Sequence, residues 1–178
     1  MRRADDVVGL IALVALTTVA YLPTLRNGFL PLGFDDALIL DAPAIRALNW
    51  PNLRAIATEH DHALYVPLTT LSFAVDYHFW GLNPVGYHLT NVVLQVVAAL
   101  LVYAFVRPLV QSPFTAFVAA AIFAIHPLQM EAVAIAAQRK TVLSGALFFL
   151  TLILYQRWRR TTWWPWYVVS VVVYGAAK

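Results

Sequence analysis

Two adjacent carboxylates, Asp35 and Asp36, are the sharpest chemical signal in the sequence. Two carboxylates held close together raise the pKa of one of them, whereas a nearby cation or a substrate hydroxyl that donates a hydrogen bond to the carboxylate lowers it. Such a pair can take a proton from a hydroxyl group and act as a general base. The alternative is structural, because Asp is a favoured N-cap and a helix could follow through residues 37–40.

A second group of charged and polar residues comes later in the chain and comprises His126, Glu131, Arg139 and Lys140. Arg and Lys side by side suit a phosphate, since Arg offers a planar fork and Lys a point charge. His126 could donate to a phosphate oxygen, and Glu131 could orient the two cations. The alternative is that these are boundary residues, with Lys and Arg snorkelling and His126 capping a broken helix.

Five apolar runs position these residues, and they predict an all-α protein with about five membrane helices. The first run is about 28 Å long at about 1.5 Å per residue, which is close to the thickness of a bilayer core. The fourth run reaches only about 22 Å, so it must borrow flanking residues. His126-Pro127 should break or kink the third run. The runs cover residues 7–25, 85–106, 114–130, 141–155 and 163–177.

The segment 26–84 reads as a large loop outside the bilayer, because it contains six acids and several turn-type prolines. Apolar residues recur at helical spacing on either side of Pro51, as expected of short amphipathic helices on a membrane surface. A second apolar stripe follows Pro67, which suits a first helical turn, and ends before Gly81, which suits a C-terminal cap. The loop is therefore predicted to be folded.

The second membrane run carries a polar stripe of His88, Asn91 and Gln95. These residues lie on one helical face, and polar groups inside a membrane should point at protein rather than lipid. We assign His88 and Asn91 a supporting role near the predicted site.

Arginines at the ends of the short loops orient the chain with a cytoplasmic N-terminus. This orientation places the acids of the loop 26–84 on the non-cytoplasmic side. Arg139 and Lys140 then fall on the same outer side, against the positive-inside trend, which draws attention to them.

The composition excludes several classes of protein. With 61% hydrophobic residues, 12% charged residues and a mean hydropathy of +0.71, the chain cannot be a soluble domain. The net charge is +3, and the charged residues lie at segment ends, so no nucleic-acid partner is implied. The absence of cysteine excludes disulfides and thiolate metal sites. One carboxylate pair offers too few ligands to assign a divalent cation, so no cofactor is assigned and this cation stays an open alternative.

Several motifs together resemble a known family. They are Asp35-Asp36 after one membrane helix, the run from Trp80 to Asn91 with Gly-Leu-Asn-Pro-x-Gly-Tyr-His-x-x-Asn, and His126-Pro127 followed by Glu131-Ala132-Val133 and Arg139-Lys140. This order resembles the transmembrane, tetratricopeptide-repeat-containing O-mannosyltransferases, which are membrane glycosyltransferases of the GT-C class. The resemblance covers nearly the whole chain.

The resemblance implies a GT-C-like helical bundle that transfers a sugar, mannose in this family, from a polyprenyl- or dolichyl-phosphate donor. The acceptor would be a hydroxyl group, including that of protein Ser or Thr, on the non-cytoplasmic side. Asp35 or Asp36 would be the base. Arg139, Lys140 and His126 are our candidates for stabilising the departing lipid phosphate.

The chain is shorter than members of that family, and none of the 34-residue helical repeats is visible. We therefore expect an N-terminal part of a longer protein, which raises the alternative that these residues alone are inactive. A transport or binding module is the other alternative, with the intramembrane polar residues lining a route. We expect a multi-pass membrane protein. The Ala-, Val- and Arg-rich sequence suggests the bacterial inner membrane as its location.

Overall fold

The computed structural model describes residues 2–30, 36, 39, 41–58 and 65–176. Within these residues the chain is helical, with short 3₁₀ turns and no strand. The predicted all-α architecture is confirmed. The helices are α1 (Arg2–Tyr21), α2 (Trp50–Thr58), α3 (Pro67–Trp80), α4 (Pro84–Val106), α5 (Pro113–Ile125), α6 (Pro127–Ala134), α7 (Arg139–Thr161) and α8 (Pro165–Ala176).

Proline marks the beginning of five of these helices, from α3 to α6 and again at α8. A proline at the first helical position loses no hydrogen bond, and its fixed φ angle suits the helix. The side chains of the preceding residues complete three of these starts, at α4, α5 and, through His126, at α6. Asn83 Oδ1 accepts from the Val85 amide at 3.1 Å, and Ser112 Oγ accepts from the Thr115 amide at 3.4 Å.

Among the residues that the structure describes, three helical segments are long and apolar enough to cross a membrane, namely 4–26, 84–106 and 136–161. The bent pair α5 and α6 is a fourth candidate, since its two helices meet at 55°. The predicted run 114–130 is therefore not one straight helix, and its break lies at His126-Pro127 as expected. The predicted run 141–155 gains flanking residues at both ends to become α7. The helix α8 is apolar but shorter.

Two ends of this bundle can be distinguished. At one end Arg107, which follows α4, donates from Nε to Asp6 Oδ1 of α1 at 2.5 Å, and this hydrogen bond raises the pKa of Arg107. At the other end, which we call the loop end, the described parts of the loop 26–84 pack on α4 and α7. A hydrophobic core there includes Ile45, Ile56, Phe73 and Tyr87.

A second core lies in the middle of the bundle, where α1, α4 and α5 meet. Ala116, Ala120 and Ala124 are fully buried on one face of α5. Small residues at such spacing let membrane helices approach closely. Gly9 of α1 also faces α5, with Phe117 Cβ at 3.9 Å from the position that a Cβ at Gly9 would occupy.

The helical break at His126-Pro127 leaves the last carbonyls of α5 without helical partners. The Ala124 carbonyl accepts instead from the Tyr21 hydroxyl at 2.9 Å and from Gln95 Nε2 at 3.0 Å. This explains one member of the polar stripe on α4. All three members, His88, Asn91 and Gln95, are buried, which confirms that the stripe faces protein.

The turn between α3 and α4 depends on two glycines. Gly81 has φ +58° and ψ −127°, a conformation that side chains with a Cβ strongly disfavour. Gly86 lies under the Trp80 indole, and a Cβ at Gly86 would overlap with the base of that ring. The hydroxyl of Tyr87 donates to the Gly81 carbonyl at 2.9 Å and ties the turn to α4.

We predict that Gly86→Ala lowers the free energy of unfolding by about 1–3 kcal/mol, because the new methyl group forces Trp80 away from α4. Gly145→Ala is the matched control, since nothing lies within 4 Å of a Cβ at that helical glycine. It should be neutral or stabilising by up to about 1 kcal/mol. Thermal unfolding of both variants in the same detergent measures the difference. Equal melting temperatures for the two variants would contradict the packing argument.

Candidate active site

Asp36 is buried at the loop end, with 1% of its surface exposed. Its Oδ1 accepts from the Ala137 amide at 2.9 Å, and its Oδ2 accepts from the Leu30 amide at 2.7 Å. The carboxylate thus joins the start of the loop to the segment before α7. Asp35, the other predicted catalytic residue, lies outside the described residues.

Arg139 is the first residue of α7 and is fully buried. Its Nε donates to Asn91 Oδ1 at 2.8 Å, its Nη1 to Ser72 Oγ at 3.1 Å and its Nη2 to the Tyr87 carbonyl at 3.0 Å. Every nitrogen of the guanidinium therefore has a partner on α3 or α4. The phosphate role that the sequence predicted for Arg139 would require it to leave these partners.

The charge of Arg139 is balanced by Asp76 of α3, whose Oδ2 lies 2.5 Å from Nη2. Asp76 is 5% exposed, and its Oδ1 accepts from the Thr90 hydroxyl at 2.8 Å. The guanidinium also lies 4.5 Å from the centroid of the Phe73 ring. An ion pair that is buried in this way costs desolvation, which the surrounding hydrogen bonds and the aromatic face offset.

Asn91 connects this ion pair to the chain that leads into α7. While its Oδ1 accepts from Arg139, its Nδ2 lies near three carbonyl oxygens, which belong to Ile135 at 3.1 Å, Ala136 at 3.3 Å and Val133 at 3.4 Å. The helix α6 ends at Ala134, so these carbonyls have lost regular helical partners. The Ile135 and Ala136 carbonyls also accept from the backbone amides of Gln138 and Arg139, so the Asn91 amide adds a second donor to each and joins this break to α4.

His88, the other predicted supporting residue, lies one turn before Asn91 on α4 and is fully buried. Neither ring nitrogen has a partner of regular hydrogen-bond geometry within the described part of the chain, although the backbone of Gly28 lies close enough to interact with the ring. The ring lies within electrostatic range of both Asp36 and Arg139. His88 therefore belongs to the same buried polar region as the two residues.

The remaining predicted site residues lie closer to the surface. His126 is exposed, and its Nδ1 accepts from the Leu128 amide at 3.2 Å, so it caps α6 as the structural alternative proposed. Lys140 is half-buried and Glu131 is exposed. Within the described residues no ion pair joins Glu131 to either cation, so the orienting role of Glu131 stays a prediction.

Sequence reasoning missed the buried partners of Arg139. Asp76 was counted among the acids of the loop 26–84, and neither Ser72, which binds Arg139, nor Thr90, which binds Asp76, was singled out. One signal was available: Asp76 lies within an otherwise apolar helical stretch, where an unpaired carboxylate would be costly. No group of three or more His, Cys, Asp or Glu that could hold a metal ion occurs among the residues described.

Comparison with known proteins supports the predicted resemblance. The chain is 33% identical over 97% of its length to the protein O-mannosyl-transferase Tmtc1 of Drosophila melanogaster. It is 34% identical over 82% of its length to mouse protein O-mannosyl-transferase TMTC1 and 35% identical over 65% to human TMTC2. The chain belongs to the TMTC family.

The chain spans 21%, 16% and 14% of the lengths of these three relatives. No family model and no solved structure matches it. The relatives come from animals, so they give no support to the bacterial inner membrane as the location, whereas the apolar helices agree with a multi-pass membrane protein.

We predict that Asn91→Asp lowers the free energy of unfolding by about 1–3 kcal/mol, because the carboxylate cannot donate to the carbonyls before α7. Asn27→Asp is the matched control, since Asn27 is exposed and makes one long bond, 3.5 Å, to the Ala134 carbonyl. Its effect should stay within about 0.5 kcal/mol. Chemical unfolding in detergent compares the two variants, and similar losses for both would exclude a special role of Asn91.

Proposed function

We propose that the protein containing this chain is a glycosyltransferase that moves mannose from a polyprenyl- or dolichyl-phosphate donor to a hydroxyl group of a protein. The observation that carries this proposal is the similarity, over nearly all of the chain, to proteins named protein O-mannosyl-transferases. The reaction would take place at the loop end, on the non-cytoplasmic side of the membrane.

The acidic pair divides into two roles. Both oxygens of Asp36 accept backbone hydrogen bonds, which favours an anchoring role for this carboxylate. We therefore assign the general base to Asp35. It takes the proton of the acceptor hydroxyl, the hydroxyl oxygen attacks C1 of mannose, and the bond from C1 to the phosphate oxygen breaks.

The leaving group is the lipid phosphate, which gains negative charge as that bond breaks. Lys140 is the better placed of the two adjacent cations, because it is half-buried and the described residues offer it no ion pair, whereas Arg139 is enclosed. His126 uses Nδ1 to cap α6, which leaves Nε2 as a donor to a phosphate oxygen. Positive groups and donors placed at the departing charge would lower the barrier.

The transport alternative finds less support. A permeation route requires polar side chains that line a path through the membrane. Asn91 and Gln95 instead donate to backbone carbonyls at the positions where α6 and α5 end.

We predict that Asp35→Asn abolishes mannose transfer while the melting temperature stays unchanged. Asp36→Asn should lower both transfer and stability, because its amide group would face a backbone donor. The free energy of unfolding should fall by about 1–3 kcal/mol. The assay follows radiolabelled mannose from polyprenyl phosphate to protein in membranes that contain the complete reading frame. Asp41→Asn serves as a control, since Asp41 is an exposed acid of the same loop.

Full transfer by Asp35→Asn would overturn the assignment of the base. Transfer that is absent in the unaltered protein, with this donor and with other lipid-linked sugars, would count against the proposed reaction itself.

A further inference from the structure

The loop end contains two buried carboxylates, Asp76 and Asp36, that have different kinds of partner. Asp76 is neutralised by the Arg139 guanidinium, whereas the described partners of Asp36 are two backbone amides. The amide that binds Asp36 Oδ1 belongs to Ala137, two residues before Arg139. The position of Asp36 therefore depends on how that short segment is held.

The segment Ala136–Gln138 is a single 3₁₀ turn between α6 and α7. Asn91 Nδ2 donates to the carbonyl of Ile135, just before this turn, and to that of Ala136, its first residue. Arg139 directly follows the turn. Arg139 is bound in turn by Asn91 and Asp76. A continuous series of buried contacts thus runs from α3 and α4 through this turn to the Asp36 carboxylate.

We infer that Asp76, Arg139 and Asn91 are positioning residues, which hold the Ala137 amide and thereby fix the Asp36 carboxylate at the loop end. None of the three needs to touch substrate. This inference rests on the proposed function, because Asp36 directly follows the proposed base in the sequence and its position then has a catalytic consequence. A misplacement of about 1 Å at a reacting group can reduce kcat about a hundredfold.

Removing one member of the ion pair would leave a buried charge unpaired and destabilise the whole protein. The informative variant is the double substitution Asp76→Leu with Arg139→Met, since apolar replacement of a buried pair is often neutral for stability. Asp6→Asn is the control, because it breaks the ion pair at the opposite end of α4.

The first measurement is hydrogen exchange of the complete protein in detergent, which requires no sugar donor. We expect the Leu30 amide, which binds Asp36 but lies outside the ion pair, to exchange about tenfold faster in the double variant. It should exchange at the unaltered rate in Asp6→Asn. Unchanged exchange at Leu30 in the double variant, with faster exchange confined to residues 136–139, would overturn the inference.

The second measurement is mannose transfer by the same variants. We expect the double variant to keep its melting temperature within a few degrees while kcat falls at least about tenfold and the donor KM changes less than about twofold. A purely structural role predicts that a double variant of unaltered stability also has an unaltered kcat. That result would also overturn the inference. If the unaltered protein transfers no mannose, the proposed reaction fails, and the exchange at Leu30 alone decides whether the positioning holds.

Discussion

The burial of Arg139 is the constraint on which the loop end depends. A guanidinium that is removed from water is stable only if its charge and its donors are satisfied by protein. Here the carboxylate comes from α3, the amide oxygen and a backbone carbonyl come from α4, and the hydroxyl of Ser72 comes from α3 again. These contacts bind α3, which belongs to the loop 26–84, to α4 and α7 around one guanidinium.

Features of the fold that arise locally could be predicted from the sequence. The break at His126-Pro127 follows from the missing amide of one residue, and the end of α3 at Gly81 follows from a backbone conformation that glycine tolerates. The inward direction of Asn91 and Gln95 follows from their spacing in an apolar helix. Each inference needs a few neighbouring residues and one physical rule, which explains why the structure confirms it.

Features that depend on distant partners could not be predicted in the same way. Arg139 and Lys140 are adjacent in sequence, and their types alone suggested a shared phosphate site. Successive side chains on a helix point about 100° apart, so one of the two can face the core while its neighbour is less enclosed. Arg139 is completely buried, whereas Lys140 is half-buried. The buried residue is the one that pairs with Asp76, which lies 63 positions earlier in the chain. A pairing of this kind becomes visible only when α3 is packed against α7.

Ion pairs at both ends of α4 give this helix a central part in the architecture. The pair of Arg107 and Asp6 binds the end of α4 to α1, and the pair of Arg139 and Asp76 lies against its beginning. The first is partly exposed and joins two helices. The second is buried, and its hydrogen bonds continue through Asn91 to the turn that binds Asp36. One buried cation thus acts on two carboxylates, on Asp76 through its charge and on Asp36 through the geometry of a backbone amide. Under the proposed function, the described partners that hold Asp36 are two backbone amides, and the Arg139 guanidinium has no need to enter the region where the donor phosphate would bind.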